Sequence, residues 1–314
     1  MGMRMWTCVL ALALAGLGVT ATATDVALFS ATDADLAALK DKHDMQTLLL
    51  RGPRVTDAGL ANLKDLKGLR ELDLAYTSVT DAGLASLKEM SDLQKLNLSG
   101  TGVADAALAQ LKELKSLQKL NLSGTKVTDA ALADLKDMTG LRELDLSYTS
   151  LTDAKLASLK EMKGLQKLDL SSTKVTDKAL AILKDMTGLQ ALGLGATQIS
   201  DFGLEQLKGM KGLRELNLAG ASVTDDGLAQ LRTLTGLQTL DLSSTQVSDA
   251  GFQYLVEMTG LRVLYLKSVK VTDAGLEHLK DLPNLQELYL TGTRLTEAAL
   301  ARLKAVLPST QIFR

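Results

Sequence analysis

With 314 residues, 46% apolar but only 3% aromatic, the chain has to build its core from aliphatic side chains, chiefly leucine. Lys and Arg number 35 against 37 Asp and Glu, and no basic stretch offers the electrostatic footprint of nucleic-acid binding. A single cysteine, Cys8, and two distant histidines, His43 and His278, exclude a disulfide framework and a multi-cysteine or His/Cys metal site.

Arg4 precedes an apolar run from Cys8 to Val19, followed by TATATD with Ala21 and Ala23 at A-x-A spacing. That is the layout of a secretory signal peptide over residues 1–23, with cleavage expected after Ala23. Left uncleaved, Met5 to Ala23 is nearly long enough to span a bilayer and would tie the protein to a membrane. Cleavage removes the only cysteine and suits a secreted or extracytoplasmic protein, in the periplasm or at the cell surface. Residues 24–30, TDVALFS, are expected to form a short N-terminal cap in which Val26, Leu28 and Phe29 cover the first of the units that follow.

From residue 31 the chain is one 24-residue block, VTDAALADLKDMTGLRELDLSYTS in its copy at 127–150, written eleven times without an insertion. A shortened twelfth copy runs from Leu295 to Arg314. Such self-similarity belongs to a solenoid, because each unit buries its apolar face only by stacking on its neighbours. Residues 31–314 therefore read as one elongated repeat domain. Within a block, Leu141, Leu144 and Leu146 form L-x-x-L-x-L, the alternation of a strand with one buried face. Leu132, Leu135 and Met138 form the narrow apolar stripe of a short helix. The expected fold class is α/β, a curved horseshoe with a parallel sheet on the concave side and short helices on the convex side. In the last copy Pro308 stops the helix and Ile312 takes the inward strand place, which reads as a terminal cap.

The pattern L-x-x-L-x-L-x-x-T-x-V-T-D-A-G-L resembles the leucine-rich repeat, and is similar to its cysteine-containing and ribonuclease-inhibitor types. The resemblance implies a solenoid that binds proteins. Where that family often carries Asn or Cys after the strand, this chain has Thr77, Thr101, Thr125, Thr149, Thr173, Thr197, Thr245 and Thr293, whose hydroxyls are expected to bond neighbouring loops. Pro53, Ala221 and Val269 interrupt the row and predict local irregularity.

A row of aspartates, among them Asp33, Asp57, Asp129, Asp177, Asp225 and Asp273, precedes the helical stripes. Helix N-caps are the expected role, ahead of catalysis or calcium binding. On the outward side of the strands, Asp73, Asn97, Asn121, Asp145, Asp169, Asn217 and Asp241 form a polar row beside Glu71, Lys95, Lys119, Glu143, Lys167 and Glu215. These charges are expected to neutralise one another, which is a simpler reading of Asp145 beside Asp169 than a metal pair. Asn97 and Asn121 match the glycosylation pattern only because the repeat does. No catalytic constellation, cofactor motif or metal set is present in the sequence, and no enzymatic activity is expected.

Two places break the consensus. Ala191, Gly193 and Gly195 predict a shallow bare strip open to close approach by a ligand, unless one copy has simply drifted. Val263, Tyr265, Lys267, Glu287, Tyr289 and Thr291 place two tyrosines on adjacent strands of an aromatic-poor face, the composition of an interface centre. The function expected is that of an exported, monomeric, non-enzymatic module that recognises a protein partner through its concave face. A self-associating envelope spacer is the first alternative. A substrate-recruiting subunit related to ubiquitin-ligase adaptors is the second, and it requires an adaptor-binding domain beside the repeats.

Overall fold

The computed structural model describes residues 24–314, which fall into two compact units, one ending at Leu144 and one beginning at Asp145. The signal segment expected at 1–23 lies outside the described residues.

The first unit alternates β1 (Asp25–Leu28), α1 (Asp33–Leu39), β2 (Thr47–Leu50), α2 (Asp57–Leu60), β3 (Glu71–Asp73), α3 (Asp81–Leu84), β4 (Lys95–Asn97), α4 (Ala106–Leu111), β5 (Lys119–Asn121) and α5 (Leu132–Leu135); β6 (Glu143–Asp145) carries the boundary. Strands β1 to β5 pair in chain order, all parallel, each one block out of step with the next, so that Leu48, Leu72, Leu96 and Leu120 share one inward row. The residues expected to be a cap are a strand: β1 pairs with β2, setting Val26 beside Leu48. Val26 and Leu28 are half-buried there, whereas Phe29 remains exposed and covers nothing.

The second unit contains β7 (Lys167–Asp169), α6 (Asp177–Leu183), β8 (Ala191–Gly193), α7 (Asp201–Leu204), β9 (Glu215–Asn217), α8 (Asp225–Leu231), β10 (Thr239–Asp241), β11 (Val263–Tyr265), α9 (Asp273–Leu279), β12 (Glu287–Tyr289), α10 (Glu297–Val306) and β13 (Gln311–Phe313). Strands β7 to β13 are again parallel and in chain order. Blocks without a full α-helix use 3-10 turns, as at Leu156–Glu161 and Asp249–Glu257.

The core is a leucine stack in which Leu168, Leu192, Leu216, Leu240 and Leu264 are all buried. Parallel in-register pairing carries each of these side chains onto its counterpart one block away, which is why an invariant block length matters more than any one contact.

The aspartate row does something other than cap its own helix. The N-cap is the preceding Thr or Ser: the side chains of Thr56, Thr80, Thr128, Thr176, Thr224, Ser248 and Thr272 accept from the backbone amide two residues on. The aspartate carboxylate reaches forward into the next block. Asp225 Oδ1 accepts from the Ser248 amide at 2.8 Å and its Oδ2 accepts from the Ser248 hydroxyl at 2.6 Å. The same two-pronged clamp joins Asp33 to Thr56, Asp177 to Ser200, Asp201 to Thr224 and Asp273 to Thr296. Asp side chains bond the caps that Thr side chains supply, so consecutive blocks are fastened by charge-assisted hydrogen bonds.

The clamp also dictates a small residue near the start of each helix. A Cβ added at Gly203 would stand 2.3 Å from Asp177 Oδ1, and one at Gly251 would stand 2.3 Å from Asp225 Oδ1. Lys155 occupies the equivalent place in its block and does not fit it. Its backbone turns left-handed at φ 62° and the block continues as a 3-10 turn. The irregularity expected at Ala221 and Val269 is absent: both are buried, and their amides still close the turn to Leu218 and Leu266. The threonine row bonds within its own block, with Thr173 Oγ1 donating to the Leu170 carbonyl at 2.6 Å and Thr245 to Leu242 at 2.6 Å.

Candidate protein interface

Most outward polar side chains on the sheet are engaged in holding it. Asp73, Asn97, Asn121, Asp145, Asp169, Asn217 and Asp241 each accept, through Oδ1, the amide two residues further on, a turn that ends the strand. Asp145 also takes the Ser147 hydroxyl at 2.6 Å. Burial pushes the Asp145 carboxyl up, against the two bonds from Ser147 that lower it, and the charge of Asp169 adds to the rise. With Oδ1 of both Asp145 and Asp169 committed to turns, the pair is structural. Among the described residues no group of three or more His, Cys, Asp or Glu is placed to hold a metal ion.

The charged column pairs as expected in the first unit, with Lys95 on Glu71 and Lys119 on Glu143, each at 2.7 Å. Lys167 reaches over the short Ala191 to Glu215, two strands away, at 3.7 Å. This removes the bare strip. Gly193 and Gly195 are buried, because Asp169 and Asn217 lean over them: a Cβ at Gly193 would stand 2.2 Å from Asp169 Oδ1 and one at Gly195 3.1 Å from Asn217 Oδ1. The glycines make room for neighbouring side chains, not for a ligand. Strands β9 and β10 stand between them and the tyrosines, so the two candidate places do not form one site.

At β11 to β13 the polar turn residue is replaced by an aromatic one. Register sets Tyr265 beside Tyr289 and Tyr289 beside Phe313. The rings stack, with centroids 4.4 Å apart in both pairs and planes inclined by 16° and 11°. Sheet spacing alone nearly enforces this, since in-register strands lie ~4.8 Å apart, close to the stacking distance of aromatic rings. Phe313 is the residue that the sequence reading missed. It lies one block length after Tyr289, in the shortened copy whose reading as a cap assigns a place only to the inward Ile312.

Without an aspartate at position 265, the Lys267 amide turns to the Ser243 hydroxyl of the preceding block at 3.2 Å, and Gly195 uses Ser171 in the same way at 3.2 Å. The Lys267 ammonium lies 5.6 Å from the Tyr265 ring centre and 5.3 Å from that of Tyr289, within cation–π range. Glu287 accepts the Tyr289 hydroxyl at 2.8 Å. Val263 is half-buried beside the stack, and Thr291 is exposed at its edge.

That hydrogen bond to Glu287, with burial and the nearby negative charge, pushes the Tyr289 phenol from 10.0 up to about 12. The neutral phenol is the favoured form, so its contribution is complete below pH ~10 and is lost as pH rises through ~12. Phenolate absorbance titrated in the native chain and in Tyr289→Phe should differ by one group with a midpoint near 12. A difference midpoint near 10 would mean that the bond to Glu287 does not persist in solution.

Models described as leucine rich repeat match residues 115–175, 69–88 and 234–256. An internalin from Listeria monocytogenes superposes with a TM-score of 0.65 at 25% identity over 88% of this chain and 76% of that one. The chain is a leucine-rich repeat protein. A TDR receptor shares the fold at 15% identity and a TM-score of 0.56, over 88% of this chain and 48% of the receptor. No curated protein matches the chain in sequence. Leucine-rich repeat proteins generally bind protein partners and are typically not enzymes, and nothing in this array points to nucleic acid. No helix among the described residues is long and apolar enough to cross a membrane.

Proposed function

We propose that this leucine-rich repeat protein is an exported, monomeric module that binds a protein partner on the solvent side of its sheet, with the Tyr265, Tyr289 and Phe313 stack at the centre of the contact. The observation that carries the reading is the stack itself. Three consecutive rings stand on a face whose other polar groups are spent on turns and mutual ion pairs. Aromatic side chains held rigid before binding lose little entropy when a partner covers them, and such residues dominate interface energetics. Val263 extends the apolar area, and Lys267, Glu287 and Thr291 form the rim. Ala191, Gly193 and Gly195 are left out because neighbouring side chains cover the two glycines.

Replacing Tyr265 and Tyr289 together by serine should weaken partner binding by more than ~2 kcal/mol with an unchanged circular dichroism spectrum. Comparable loss from Lys95→Ala or Lys119→Ala, with the double tyrosine variant binding normally, would move the site to the first unit. Export is supported by the charge, apolar run and A-x-A order of the first 23 residues. N-terminal sequencing of the mature protein should begin at Thr24, which leaves β1 whole; a soluble product starting at Met1 would remove this part of the proposal.

A further inference from the structure

Among the described residues, four cations of the outward strand rows and their turns are paired with carboxylates of the chain itself. Arg51 reaches Asp73 at 3.4 Å, Lys95 reaches Glu71 at 2.7 Å, Lys119 reaches Glu143 at 2.7 Å and Lys167 reaches Glu215 at 3.7 Å. Lys267, in the same rows, differs. Its ammonium lies beside the stacked pair, 5.6 Å and 5.3 Å from the two tyrosine ring centres, and among the described residues it forms no ion pair. Glu287, the acid on the neighbouring strand, turns one carboxylate oxygen to the Tyr289 hydroxyl and forms no ion pair with Lys267.

Resting on the reading that a protein docks on this stack, we infer that Lys267 receives a carboxylate of that partner, from a segment in which Asp or Glu stands beside apolar or aromatic residues. Covering the rings and Val263 strips water from the ammonium beside them. An ion desolvated in this way is costly unless an opposite charge arrives with the surface that covers it. Charge complementarity therefore selects an acid at this point. The geometry of the rings favours a protein over a polysaccharide. Tyr289 gives both its faces to its neighbours at 4.4 Å, so the stack turns mainly ring edges to solvent apart from the outer faces of Tyr265 and Phe313 at its two ends. Ring edges carry the positive end of the aromatic quadrupole, which suits carboxylates and the faces of partner rings. A run of sugars, each lying flat on its own ring face, finds such a face only at the ends of the stack.

The test is selection of a phage-displayed library of random dodecapeptides on the full chain, repeated on Lys267→Gln and on the Tyr265→Ser, Tyr289→Ser double variant, each checked for folding by circular dichroism. Peptides recovered on the native chain should carry Asp or Glu next to Phe, Trp, Tyr or Leu, and the acidic enrichment should vanish on Lys267→Gln. A selected peptide should bind Lys267→Gln roughly tenfold more weakly, while its Glu→Gln analogue binds both chains alike. Apolar peptides without acids, lost only in the double tyrosine variant, would overturn the acidic assignment and leave the docking reading in place. Peptides indifferent to every substitution would overturn both. Saturable binding of oligogalacturonate that depends on Lys267, with no peptide recovered, would assign the patch to acidic polysaccharide and overturn the inference.

Discussion

Leu216→Ala should lower the free energy of unfolding by about 2 to 5 kcal/mol. Leu216 is 1% exposed and lies in register between Leu192 and Leu240, so truncation opens a cavity shared by three blocks. In a stacked array the interface between neighbours supplies much of the stability of each unit, and a hole there weakens both adjoining interfaces. Denaturant unfolding followed by far-ultraviolet circular dichroism measures the change. Glu215→Ala, one residue away on the solvent side, should shift stability by no more than about 0.5 kcal/mol, because its partner Lys167 is 3.7 Å distant and both side chains are about half exposed. Equal effects from the two substitutions would contradict the assignment of inward and outward rows.

Asp225→Ala should cost about 2 to 4 kcal/mol, more than a simple cap or a helix-dipole charge is worth. The carboxylate serves two donors of Ser248, its amide at 2.8 Å and its hydroxyl at 2.6 Å, and removal leaves both unsatisfied in a partly buried seam between blocks. Asp225→Asn separates the two contributions. Its carbonyl can still accept from the amide while the serine hydroxyl rotates to accept from the new NH2 group, so a cost of about 1 to 2 kcal/mol is expected. Loss of no more than ~0.5 kcal/mol in the alanine variant would return Asp225 to the role of an exposed charge near a helix N-terminus.

The strands, the short helices and their parallel order were legible in the residues, because one invariant block length leaves stacking in register as the way to bury the recurring apolar rows. What was not legible is where polar side chains turn, within a block or across to the next. Thr and Asp are both good N-caps, so the pair T-D does not say which one caps; the answer appears only when Asp225 is seen to reach Ser248. Asp169 on a strand looks like a solvated charge, and its carboxylate is in fact folded back onto the Ser171 amide. Gly193 looked like an opening, and the Asp169 side chain occupies it. In each case the sequence states the residue but not the direction its side chain takes. Phe313 is different in kind. Its signal was present as an aromatic one block after Tyr289, and it was obscured by treating the shortened copy as an end rather than as another strand.

The Tyr265, Tyr289 and Phe313 stack also accounts for a local exception to the rule of the sheet. Wherever Asp or Asn ends a strand, its side chain holds the following turn; at β11 that bond is surrendered, and Ser243 holds the Lys267 amide instead. A substitution that gives up one hydrogen bond and is rescued by a neighbouring block puts aromatic area on the surface at little cost to the fold.

Site-specific photo-crosslinking tests the central claim most directly. A p-benzoylphenylalanine residue is placed at Val263 in one version of the full chain and at Lys95 in another, and both are irradiated in the producing cells. Crosslinking from Val263 to one discrete protein, lost when Tyr265 and Tyr289 are changed to serine and absent from Lys95, is the predicted result. Crosslinking from Lys95 alone, or from Val263 in a manner indifferent to both tyrosines, would contradict the assignment of the aromatic stack as the binding surface.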